Sequence, residues 1–166
     1  MTTYISLLRG INVGGKSLKM DALRELFDGL GAKDIRTYIQ SGNVVFQGAT
    51  ISTDAFSARV KAAILKKFKL EVPIITFPAV KLKTVIDKNP FLKQKGVDLA
   101  RLYVTFLAGV PQKEGLAKLE QLPKGKDAYS AVGDVVYLHC PGGYGETKLS
   151  NTAVEKALLV QATTRN

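Results

Sequence analysis

The chain has 166 residues, 46% hydrophobic and 23% charged, a composition that excludes a disordered segment and fits one ordinary domain or two small ones. Twenty-four lysines and arginines against 14 acidic residues give a formal charge of +10, and no apolar run approaches the roughly 20 residues that cross a bilayer. Residues 1–9 lack a basic start and are interrupted by Arg9, unlike a secretory signal, and Cys140 is the only cysteine, so the expected location is the reducing cytoplasm.

Residues 3–8 are β-rich and read as a first strand, followed by a loop, residues 9–16, that carries Gly10, Gly14 and Gly15. Met20, Leu23, Leu26, Phe27 and Leu30 recur at helical spacing, and Gly31 stands where a left-handed C-terminal cap belongs. Ile35, Thr37 and Ile39 alternate with Arg36, Tyr38 and Gln40, the signature of a half-buried strand. Ser41-Gly42-Asn43 punctuates a hairpin, and Val44-Val45-Phe46 returns. Ser52 or Thr53 caps a long helix with the apolar stripe Phe56, Val60, Ile64 and Phe68, and residues 72–77 form a fourth strand.

The second half repeats the pattern. A connecting helix carries Val80, Leu82, Val85 and Ile86 and stops at Asn89-Pro90. Residues 102–107 form a strand, and Leu116, Leu119 and Leu122 mark a short helix. Residues 128–132 and 135–139 flank Gly133-Asp134 as a hairpin. Ser150 or Asn151 caps a helix through Val154, Leu158 and Leu159, and the closing strand is either missing or displaced into residues 161–166. The expected fold class is α+β, two tandem ferredoxin-like units of split β-α-β-β-α-β order, with antiparallel sheets and helices on one face. The expected division is a first unit at 1–77, a connecting helix and linker at 78–99, and a second unit at 100–166 with an incomplete closing element.

Arg9-Gly-Ile-Asn-Val-Gly-Gly15, Met20-x-x-Leu23 and Tyr38-Ile-Gln-Ser-Gly-Asn-Val-Val-Phe46 resemble the bacterial family called domain of unknown function 1697. Asn89-Pro90-Phe91, Lys148-Leu149-Ser150 and Thr163-Thr164-Arg165-Asn166 resemble its later landmarks, in the same order. The resemblance implies two ferredoxin-like units and carries no activity. Members of that family continue past the Thr-Arg-Asn motif with a further apolar helix, where this chain ends at Asn166.

In a split β-α-β unit the first two strands run the same way, so the loop at 9–16 and the hairpin at 40–43 leave the sheet at one end. Arg9, Asn12, Gly14, Gly15, Lys16, Gln40, Ser41 and Asn43 are therefore the candidate ligand-binding set, with Lys148, Arg165 and Asn166 as secondary candidates. Glycines at 10, 14, 15 and 42 let backbone N–H groups approach a ligand closely. The side chains on offer are cations and amides, which suits a phosphate, carboxylate or nucleobase better than a metal. The bland reading is that these residues bond one another and merely shape the turn. Gly10 to Ser17 also matches the spacing of the nucleotide-binding pattern G-x-x-x-x-G-K-[ST]. The helix starts too late for Lys16, and a split β-α-β unit lacks the parallel sheet that pattern needs, so the match reads as accidental.

His139-Cys140 reads as a strand end with a small buried thiol, since two adjacent strand residues face opposite ways. Residues 141–148 form a glycine-rich loop, a lid or an irregular crossover. The carboxylates are scattered singly, and no residue set reads as a catalytic centre. No cofactor and no metal are expected.

Three readings of function follow. The preferred one is a soluble protein that binds a small polar or anionic ligand at the two converging loops. A second is a non-enzymatic nucleic-acid binder, favoured by a charge of +5 on each side of Phe77 (11 basic and 6 acidic residues, then 13 and 8). Against it, Tyr38 and Phe46 are the only strand aromatics in the first unit that could face a nucleic acid. The third is an enzyme acting on a small anionic substrate. A lysine-rich solvated surface accounts for the charge better than a polyanionic partner does, since no aromatics are interleaved among the lysines.

Overall fold

The computed structural model describes residues 1–166 and divides the chain into two compact units, Met1–Thr84 and Val85–Asn166. The first contains β1 (Thr2–Leu8), α1 (Met20–Gly29), β2 (Lys33–Tyr38), β3 (Asn43–Gly48), α2 (Thr53–Phe68) and β4 (Ile74–Pro78). The boundary falls inside α3 (Val80–Asp87). The second contains β5 (Leu102–Leu107), α4 (Lys113–Glu120), β6 (Ala128–Val132), β7 (Val135–His139), α5 (Asn151–Leu158) and β8 (Ala162–Arg165).

The first sheet has the order β2-β3-β1-β4 and the second β6-β7-β5-β8. In each, the opening strand pairs antiparallel with both neighbours: Ser6 stands opposite Val44 and Thr76, and Thr105 opposite Val136 and Thr164. Both units are thus ferredoxin-like, and the class is α+β. Of the two alternatives for the end of the chain, the displaced strand is realised, because β8 pairs with β5 and closes the second sheet.

Local chemistry explains several helix ends. Ser52 caps α2 by accepting from the Ala55 N–H, and Ser150 caps α5 by accepting from the Ala153 N–H. Gly31, at φ +91°, ends α1. Alternation along β1 sends Tyr4 and Leu8 into a core with Phe27 of α1, Phe46 of β3 and Phe56 of α2, whose rings stack or meet edge-on at 4.9–5.8 Å. The second core gathers Leu107, Val136, Leu138, Val154 and Leu158 under α4 and α5.

Two sequence expectations fail. The alternation that ran through Ile39 stops at Tyr38; Ile39 turns to φ +49° and lies exposed, because the chain reverses there. Phe46 is buried in the first core and cannot face a partner, whereas Tyr38 is 70% exposed.

Candidate functional site

The loop between β1 and α1 hangs from two buried anchors, Ile11 and Leu18. Between them Asn12 adopts φ +56°, a left-handed conformation that asparagine tolerates. Its side-chain amide donates to the Leu18 carbonyl at 3.0 Å and to the Gln40 carbonyl at 2.7 Å, while its Oδ1 accepts from the Leu18 N–H at 2.8 Å. The Asn12 N–H donates to the Lys16 carbonyl and the Lys16 N–H to the Val13 carbonyl, which closes a tight reversal over residues 13–16. Gly14 and Gly15 form its tip at φ +56° and +85°, in open space on the side where a Cβ would point. An open hollow of about 260 Å³ is lined by Asn12, Val13, Gly14, Gly15, Lys16 and Ser17.

The hairpin after β2 is joined to this loop by the Asn12–Gln40 bond and by the Leu8 N–H donating to the Gly42 carbonyl at 2.8 Å. The two loops therefore do converge at one end of the sheet. Their side chains divide into two groups. Asn12, Gly14, Gly15 and Lys16 line the hollow. Ser41 and Asn43 bond within the hairpin, the Asn43 amide donating to Ser41 Oγ at 2.9 Å and to the Tyr38 carbonyl at 3.1 Å. Gln40 meets the loop through its carbonyl, and its side chain is exposed. Lys16 Nζ reaches the Glu71 carbonyl at 3.1 Å, and half-buried Arg9 donates its backbone N–H to the Pro73 carbonyl.

Gly42 differs from Gly10, Gly14 and Gly15 of the neighbouring loop. It is buried at φ +79°, and a Cβ there would stand 2.7 Å from Leu8 Cβ and 2.8 Å from Ile11 Cδ1. Close packing of the two loops requires a residue without a Cβ here.

The secondary candidates lie in the second unit. Lys148 is exposed. Arg165 on β8 donates through Nη1 to Thr163 Oγ1 and the Thr164 carbonyl, both at 2.9 Å, and burial lowers its guanidinium pKa. The Asn166 amide donates to the Leu102 carbonyl at 2.7 Å and the Leu99 carbonyl at 3.3 Å. Cys140 is fully buried and burial pushes its thiol pKa up, while His139 lies beside the Phe91 ring, 6.0 Å between centroids. The G-K-S match is also resolved: Lys16 lies four residues before α1, in a unit whose sheet is antiparallel throughout.

Sequence reasoning missed Val13 and Ser17, which line the hollow. The alternation that half-buries Ile35 and Thr37 places Arg36 and Tyr38, both outside the candidate set, on the exposed face of β2.

The family described as Protein of unknown function (DUF1697) matches residues 1–137. No curated protein matches the chain. Among solved structures, the conserved bacterial protein SP0830 from Streptococcus pneumoniae has a similar fold, with a TM-score of 0.77 and 23% identity over 99% of this chain and 92% of that one. With most of its length matched and both sheets built in the order the motifs imply, the chain belongs to the DUF1697 family.

Proposed function

We propose that the chain binds a small anion, a phosphate- or carboxylate-bearing ligand, at the Gly14-Gly15 turn. The hollow of about 260 Å³ carries this reading, because two consecutive positive-φ glycines stand at its mouth. Successive backbone N–H groups in such turns form concave anion sites, and glycine removes the side chain that would block close approach. Lys16 lines the same hollow, its ammonium within reach of the Glu71 carbonyl, and the net charge of +10 draws anions toward the protein. The Asn12 amide holds the turn in shape through the carbonyls of Leu18 and Gln40.

The test is a thermal-shift titration at low salt with inorganic phosphate, pyrophosphate and citrate. A ligand at 100 times its Kd stabilises by about 2.7 kcal/mol. Lys16→Ala should remove most of that shift while leaving the unliganded midpoint nearly unchanged. Arg9→Ala separates two roles: lost ligand shift with intact stability assigns Arg9 to the ligand, and a loss of about 1–3 kcal/mol without ligand assigns it to the scaffold. Absence of a shift with all three anions would end the proposal.

A further inference from the structure

Resting on that anion site, we infer that its ligand is a nucleotide, free or within a single strand, whose base stacks on Tyr38. Tyr38 ends β2 on the face opposite the first core and is 70% exposed, the most exposed aromatic ring of this unit. Such exposure of a large aromatic on a rigid strand end suits stacking, since every nucleobase presents a π-face.

The ring is held in a fixed relation to the glycine turn. The Asn43 amide grips the Tyr38 carbonyl at 3.1 Å, and two residues on the Asn12 amide grips the Gln40 carbonyl at 2.7 Å. Two residues of backbone span at most about 7 Å. The two gripped carbonyls thus lie within about 7 Å of each other, with Tyr38 at one and the residue that opens the glycine turn at the other. Ile39 between them is held at φ +49°, a conformation that a β-branched residue adopts only when its surroundings impose it. Side-chain amides hold the carbonyls on either side of it, and Tyr38 and Ile39 at the hairpin are exposed, as is Val13 at the hollow.

Charge fits the same ligand. Arg36 stands two residues before Tyr38 on the same exposed face of β2, and Lys16 lines the hollow. A cation, an aromatic ring and an anion-binding turn along one edge are the elements by which sheet proteins hold single-stranded nucleic acid.

The experiment titrates wild type, Tyr38→Ala and Tyr38→Phe with ribose 5-phosphate, adenosine monophosphate and a labelled oligoadenylate, at low and physiological salt. Wild type should bind adenosine monophosphate about 5- to 150-fold more tightly than ribose 5-phosphate, from a stacking gain of about 1–3 kcal/mol per base. Tyr38→Ala should erase that difference and Tyr38→Phe should keep it, with melting temperatures unchanged because the side chain is exposed. Tighter binding of the oligoadenylate, falling steeply with salt, assigns a strand; equal affinity assigns a free nucleotide. Equal affinity for sugar phosphate and nucleotide, or a Tyr38→Ala variant that binds like wild type, overturns the inference and leaves the anion site standing. Failure of all three probes overturns the inference, and the titration with phosphate, pyrophosphate and citrate then decides separately whether the anion site stands.

Discussion

The side-chain amide of Asn12 donates to the Gln40 carbonyl at 2.7 Å, and this bond ties the glycine-rich loop to the β2–β3 hairpin. The same side chain exchanges two bonds with Leu18, so one residue fixes both the shape of the loop and its distance from the hairpin. Asn12→Ala should cost about 1–3 kcal/mol, because a partly buried N–H and two carbonyls lose their partners. Asn12→Gly relaxes the positive φ yet makes none of these bonds, so it should be destabilised as well. Equilibrium urea unfolding of both variants checks this; a Gly variant as stable as wild type would show that only the backbone conformation matters.

Gly42 and Gly14 both have positive φ but different surroundings, and alanine should separate them. Gly14→Ala meets open space and carries only the left-handed penalty of about 1–2 kcal/mol. Gly42→Ala adds a clash with Leu8 and Ile11 and should lose clearly more, with overpacking alone costing about 1–3 kcal/mol. Thermal unfolding of the pair measures the difference, and equal losses would contradict the packing role of Gly42.

In the second unit, the fully buried Tyr137 donates its hydroxyl to the Val85 carbonyl at 2.7 Å. Tyr137→Phe preserves the ring and leaves a buried carbonyl unpaired. The expected loss is about 1–3 kcal/mol, read from the shift in denaturation midpoint with an unchanged m-value.

A surface latch gives a pH signature. The Tyr129 hydroxyl donates to Glu120, and Lys124 Nζ pairs with the same carboxylate at 3.1 Å. Burial first, and then the Glu120 bond, push the Tyr129 pKa from 10.0 up to about 12, while the Tyr129 bond chiefly lowers that of Glu120. A raised tyrosine pKa means the native state keeps a proton that the unfolded state releases. This contribution is present below pH 10 and is lost as pH rises toward 12. The lowered Glu120 acts in the opposite direction, contributing above its ordinary value of 4.5 and fading as pH falls below it. The melting temperature of wild type should therefore drop more steeply between pH 10 and 12 than that of Tyr129→Phe. Parallel curves would show that the latch does not persist in solution.

Much of the architecture is written in interactions that span only a few residues. The 3.6-residue stripe from Phe56 to Ile64, the caps Ser52 and Ser150, the terminating Gly31 and the hairpin at Gly133-Asp134 are all decided by near neighbours in the chain. Pattern and spacing therefore determined the element order of both units. Because split β-α-β connections have one hand, they also determined that residues 9–16 and 40–43 share one end of the sheet. Which of those residues face outward was decided only in three dimensions. Asn12 and Asn43 look like ligand-binding amides in sequence, yet their amides hold the carbonyls of Leu18, Gln40 and Tyr38. Gly42 looks like a flexible turn glycine, yet Leu8 and Ile11 press on it from a strand and a loop more than 30 positions away. Tyr38 and Phe46 are equivalent strand aromatics on paper, and only the placement of α1 and α2 buries one and exposes the other. Period and capping record what a residue prefers among its neighbours in the chain, whereas the partner that satisfies a polar group or fills a cavity arrives only when distant segments pack.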